Sequence, residues 1–205
     1  MSLADLARHL NLTRYRRGSK RSLPSLILMT DVQRLANPSA TAALLPRGSA
    51  VILRHYGTPE RTALGRALAV ICRRRGLLLL VAGDRRLAAA IGAAGLHMPE
   101  GTLRQPRRAA ARGNRRWLIT AAAHSPAAIR HAARSGANAV LLAPVFDTES
   151  HPRAKPLGSL LFARWCRESR LPVYALGGVS NETARRLRGS GAAGIAAIGA
   201  LIRDG

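Results

Sequence analysis

Acidic residues are scarce in this chain: ten among 205, against 33 basic ones, with lysine present only as Lys20 and Lys155. Aromatic residues make up 3%, and cysteine occurs twice, as Cys72 and Cys166. No uninterrupted apolar run approaches the roughly 18 residues that a membrane-spanning helix needs. The first residues, MSLADLARHLNLTRYRRGSKRSL, lack the apolar stretch and small-residue cleavage site of a secretory signal. A cytoplasmic location without membrane contact is therefore expected, and the two thiols are expected as packing residues rather than a bridge. So few aromatics also leave little for the stacking platforms of single-strand nucleic-acid binders.

What is abundant is arginine. The formal charge is +23, large enough to attract nucleic acid non-specifically. The arginines are spread along the whole chain, so a solvated surface that also suits phosphorylated ligands is expected. Their clustering on one face, or a steep salt dependence of binding, would instead favour a nucleic-acid-binding or regulatory role without catalysis. The densest run, Arg14 to Arg21, sets off residues 1–22 as a basic N-terminal extension, with a single compact domain over 23–205.

With 47% apolar residues the chain can bury one sizeable core. Eight short apolar runs alternate with Ala/Arg/Leu segments of helical character, the signature of repeated βα units around a parallel sheet. They are SLILMT (25–30), SAVILR (49–54), GLLLLVA (76–82), AGLHM (94–98), WLITAA (117–122), NAVLLAP (138–144), PVYALG (172–177) and AGIAAIG (193–199). GLLLLVA and NAVLLAP are continuously apolar, as strands covered on both faces must be. Pro59 is expected to open one helix, Ser125 with Pro126 to start another that Gly136 ends, and Ser180 or Asn181 to cap a third. Eight units in so short a chain fit a small (β/α)₈ TIM barrel, whose ligand site lies on the loops after the strands. A Rossmann-like open sheet fits less well, because no Gly-rich fingerprint follows the first strand.

The polar residues directly after the eight runs are Asp31, Arg54, Asp84, His97 and Glu100, His124, Asp147 with Thr148, Gly177 with Gly178, and Gly199. Asp84 reads equally as a helix N-cap and as a ligand. His97, beside Met98, reads as packing before catalysis. Gly177 and Gly178 ahead of a capped helix offer unshielded backbone amides to a phosphate, a placement barrels often use after their seventh and eighth strands, with Gly199 completing it. His124, where a strand gives way to a helix, is placed to exchange protons with a bound ligand, although a capping or packing role stays open.

The segments LPSLILMTD, GLHMPEG, ITAAAHSPAAIRHAARSGANAVLLAPVFDTES, PVYALGGVS and GAAGIAAIGALI resemble, in order, those of the thiamine phosphate synthase/TenI family, over roughly residues 25 to 202. The resemblance implies a thiamine-biosynthesis enzyme. It is either a TenI-like tautomerase that rearranges a thiazole phosphate, with His124 as acid/base, or a divergent thiamine-phosphate synthase. The latter would be a transferase joining a pyrimidine diphosphate to the thiazole phosphate with Mg²⁺. By motif match Gly178, Ile198 and Gly199 fall on the shared phosphate site, Thr148 on a ligand-contacting threonine, and Arg54 on an arginine that meets the diphosphate. Asp84 falls on a magnesium carboxylate, with Glu100 as a helper.

Departures from the synthase pattern accompany the matches. Gln-x-Arg-x-Lys after the second strand is Ile52, Arg54 and Tyr56 here. An Asn-Asp pair is Gly83 and Asp84, and the Gln-Glu-Asp block is replaced by Pro99 to Thr102. A serine before the matched histidine is Ala122, and a lysine after the sixth strand is His151, with Lys155 nearby. LHMPEG also looks closer to TenI. Small phosphorylated ligands are the implied partners, and self-association is left open.

Overall fold

A computed structural model describes residues 2–15, 23–102, 117–148 and 154–198. Its eight strands are β1 (Leu26–Met29), β2 (Ala50–Leu53), β3 (Leu78–Ala82), β4 (Gly95–Met98), β5 (Leu118–Ala123), β6 (Ala139–Leu142), β7 (Val173–Ala175) and β8 (Gly194–Ala197). Each falls within or against one of the eight apolar runs. All pairings are parallel and in chain order, and β1 pairs with β8 through Ile27 and Ala196, so the sheet closes into a barrel. That closure excludes the open-sheet alternative.

The described helices are α1 (Leu3–Tyr15), α2 (Pro38–Leu44), α3 (Arg61–Arg75), α4 (Arg85–Ala90), α5 (Pro126–Arg134), α6 (Gly158–Glu168) and α7 (Asn181–Arg185), with a 3₁₀ turn at Glu100–Thr102. Their ends follow local chemistry. Ser125 accepts from the Ala128 amide with Pro126 in the first turn, and Gly136 continues the chain at φ 83°. Ser180 and Thr183 form a reciprocal capping box on α7. Helix α3 begins at Arg61, after the expected Pro59, and its N-cap Glu60 makes no side-chain bond.

Alternation along the strands divides the apolar residues into two layers. Ile27, Ile52, Leu80, Leu118, Leu141 and Tyr174 fill the barrel interior, while Leu28, Val51, Leu79, Val81, Val140 and Ile195 face the helices. The base of the barrel is plugged: Tyr174 is fully buried, and its hydroxyl donates to the Pro24 carbonyl at 2.6 Å. Gly95 and Gly194 permit this tight bore, since a Cβ there would lie 1.9 Å from Leu118 O and 2.1 Å from Ser25 O respectively. Cys72 and Cys166 are both free and buried. Burial pushes the Cys72 thiol up to about 11.

The described part of the basic N-terminal stretch, residues 2–15, packs on the barrel. Leu3, Leu6, Ala7 and Leu10 recur at helical spacing along α1 and are buried in the same core cluster as the barrel's outer layer. Asn11 ties the helix down by donating to the Ala193 carbonyl at 2.6 Å. Most of the Arg14–Arg21 run lies outside the described residues.

Candidate active site

Parallel strands that close in chain order bring every strand's C-terminal end to one mouth. Asp31, Arg54, Asp84, Glu100, His124, Asp147, Thr148, Gly177, Gly178 and Ile198 all follow strand ends there. Gly199 and His151 lie outside the described residues.

On the side of the mouth built by β1 and β2, Asp31 collects arginines. Arg34 reaches its carboxylate at 2.8 Å and Arg54 at 3.7 Å. Burial pushes the Asp31 carboxyl up, but the hydrogen bonds from Arg34 outweigh it and hold the group below the ordinary carboxylate range. Thr30 links the two strand ends, its Oγ1 accepting from the Arg54 amide at 2.9 Å and lying 2.9 Å from His55 Nδ1. His55 takes φ 30°, a conformation that costs energy outside glycine and is held here by these contacts.

Between β2 and β3 the decisive side chain is Arg61, the first residue of α3. It donates to the Ala82 carbonyl at the end of β3, stands 3.4 Å from Asp84 Oδ2, and lies over the Tyr56 ring at 5.4 Å from its centroid. Its Nε is buried and has no hydrogen-bond partner among the described residues. Asp84 is thereby engaged on both oxygens, because Oδ1 accepts from the Leu87 amide at 2.9 Å and caps α4. The sequence points to Asp84 but not to Arg61, whose role depends on the fold of the YGTPER loop. A helix-opening arginine five residues after a strand-end Tyr was the available signal.

Beside them, β4 and β5 bring Glu100 and His124 together. Glu100 Oε2 pairs with His124 Nδ1, and both side chains remain open to solvent. Beneath this pair, inside the barrel, His97 is buried and its Nδ1 lies 3.0 Å from Thr120 Oγ1. Burial drives His97 down to about 4, with the Arg54 charge adding to the effect, so the imidazole is neutral at pH 7. His97 thus packs inside the barrel in hydrogen-bond contact with Thr120.

Gly177 and Gly178 stand opposite at φ 87° and 65°, ahead of the α7 cap. Gly178 is required sterically, since a Cβ would lie 2.2 Å from the Asp147 carbonyl oxygen. The loop after β6, which carries Asp147 and Thr148, therefore rests directly on the glycine pair. The Phe146 amide donates to the Gly177 carbonyl at 3.0 Å. Ile198 continues β8 and packs on the interior cluster.

Among the described residues, three of the four carboxylates at this mouth, all but Asp147, are already engaged, which makes it a poor match for a divalent cation. Mg²⁺ takes oxygen ligands, commonly from one or two carboxylates, yet Asp84 is occupied by an amide and a guanidinium, Asp31 by arginines, and Glu100 by His124. Among the described residues no group of three His, Cys, Asp or Glu is arranged to hold a metal.

The family model described as thiamine monophosphate synthase matches residues 26–201. A thiamine-phosphate synthase of Methylobacillus flagellatus is 33% identical over 178 residues, covering 84% of this chain and 82% of that protein. One from Gloeobacter violaceus is 34% identical over 155 residues, 74% of this chain, but the match spans 45% of that longer protein. Among solved structures, a thiamine phosphate pyrophosphorylase from Pyrococcus furiosus superposes with a TM-score of 0.73 at 24% identity, over 86% of each chain.

Proposed function

Because the chain belongs to the thiamine monophosphate synthase family of thiamine-biosynthesis enzymes, we propose that its mouth binds a thiazole phosphate and shifts that ligand to its aromatic tautomer, with His124 moving the proton. The observation that carries this is the Glu100–His124 pair. Tautomerisation removes a proton from one ring position and returns one at another, and an imidazole can do both near neutral pH. With Nδ1 held by the Glu100 carboxylate, Nε2 is the ring nitrogen left to the ligand, and the carboxylate stabilises the imidazolium formed when a proton is taken.

The phosphate is assigned to the opposite side. Gly177 and Gly178 lead into the capped start of α7, a backbone setting that suits a phosphate, with Ile198 just after β8, Gly199 next in sequence, and Thr148 on the adjoining loop. Arg54, fixed by Asp31, supplies a cation on the β2 side.

A second activity is favoured by the names of the relatives, which are synthases. Two incubations separate the readings: the non-aromatic thiazole phosphate tautomer alone, and then both synthase substrates with Mg²⁺. Consumption in the first, with loss by about 10²–10⁴-fold in His124→Asn and little change in thiazole phosphate affinity, is the expected result. Thiamine phosphate formation in the second, with no turnover in the first, establishes the synthase instead.

A further inference from the structure

We propose that the base of the barrel, opposite the mouth, is a docking surface for duplex nucleic acid, a function independent of the thiazole chemistry. The arginines look scattered in the sequence, but the fold sorts them. In a closed parallel barrel each helix ends at the N-terminal ends of the strands, so residues that close a helix or precede a strand share the base. Arg73, Arg74 and Arg75 close α3, Arg134 closes α5, Arg47 precedes β2 and Arg170 precedes β7, all six exposed. Arg47 adjoins the α3 group directly: its Cγ lies 3.1 Å from where a Gly76 Cβ would stand, and the Gly48 amide donates to the Gly76 carbonyl at 2.9 Å.

The carboxylates are sorted the other way. Asp31, Asp84, Glu100 and Asp147 follow strands at the mouth, while Glu60 and Glu182 stand at the starts of α3 and α7. Of the remaining described carboxylates, Glu168 toward the base is paired with Arg164 at 2.8 Å and Asp5 on α1 with Arg8 at 3.3 Å, and no described carboxylate pairs with any of the six arginines. Among the described residues, Arg34, Arg54 and Arg61 at the mouth are therefore offset by carboxylates, whereas the six arginines of the base are not.

Complementing helix dipoles explains one or two cations at a helix end, but not three in succession joined by Arg47 and Arg170 from connecting segments. Guanidinium forks suit phosphodiester oxygens. Among the described residues the strongly exposed aromatic, Tyr56, sits at the mouth. Trp117 before β5 and Trp165 in the last turn of α6 are half-buried against the core and so poorly placed to stack unpaired bases; a duplex read through its backbone is the matching partner. Two strongly exposed leucines, Leu44 and Leu12 beside the base-bound Asn11, lie toward this end, too little for insertion into a bilayer.

The test is anisotropy with a labelled DNA duplex of about 24 base pairs, of arbitrary sequence, near physiological salt. Wild type is compared with the base triple Arg73→Gln/Arg74→Gln/Arg75→Gln and with a control triple of equal charge change, Arg66→Gln/Arg85→Gln/Arg86→Gln. Arg47→Gln/Arg170→Gln serves as a second base variant should the first lose its fold. Base variants should bind about tenfold or more weakly, with the slope of log K against log salt reduced by about 0.9 per lost contact, while the control stays within about threefold. Equal weakening in both triples would reduce the effect to net charge and overturn the proposal. So would no duplex binding at low salt, or binding confined to phosphatidylserine vesicles.

Discussion

At His97 a single imidazole gives stability a pH dependence with a definite sign. Its folded value of about 4 lies below the ordinary 6.5, so between these limits the unfolded chain takes up a proton that the folded one refuses. The stabilisation is complete above about 6.5 and drains away as pH falls toward 4, with a total on the order of a few kcal/mol. Denaturant midpoints measured from pH 7 to 4 should fall more steeply for wild type than for His97→Gln; parallel curves would contradict this. Glu100 acts on the ligand only through His124, so Glu100→Gln should lower tautomerisation less than His124→Asn and shift the pH profile of kcat, leaving KM nearly unchanged. At Gly178 any side chain meets the Asp147 carbonyl and a positive φ, so Gly178→Ala should lower stability by about 1–2 kcal/mol or more, seen as a reduced melting temperature.

Among the elements, the strands are legible in the sequence and the first helix is not. Continuous runs such as GLLLLVA can be satisfied only by burial on both faces, which is why every strand lies where its apolar run does. Helix α1 was hidden by its charge. Leu3, Leu6, Ala7 and Leu10 carry the helical period, but the basic stretch that follows dominates the composition of the segment. Because these residues belong to the main core, Leu6→Ala should cost about 2–5 kcal/mol, as a mutation in any other core helix would, and an unchanged melting temperature would make α1 dispensable. The site was legible as a set of strand-end residues because the barrel fixes that end in advance. Its pairings were not, since Arg61–Asp84 and Glu100–His124 join residues 23 and 24 positions apart through side-chain geometry.

Over the whole molecule, like charge is a destabilising term that salt can screen. With +23 on 205 residues, raising salt from about 0.02 to 0.3 M should raise the melting temperature, and a fall would show that the mouth ion pairs outweigh self-repulsion. The plug formed by Tyr174 against Pro24 has a different consequence, for kinetics. With the interior filled and the floor closed, any ligand reaches the site through the mouth alone, so of two bound together the one lying deeper arrives first and departs last. Were two ligands ever to meet in this barrel, the reaction would have a compulsory order. The outer ligand could then be trapped only after the inner one had entered, and excess outer ligand would slow turnover by blocking the exit.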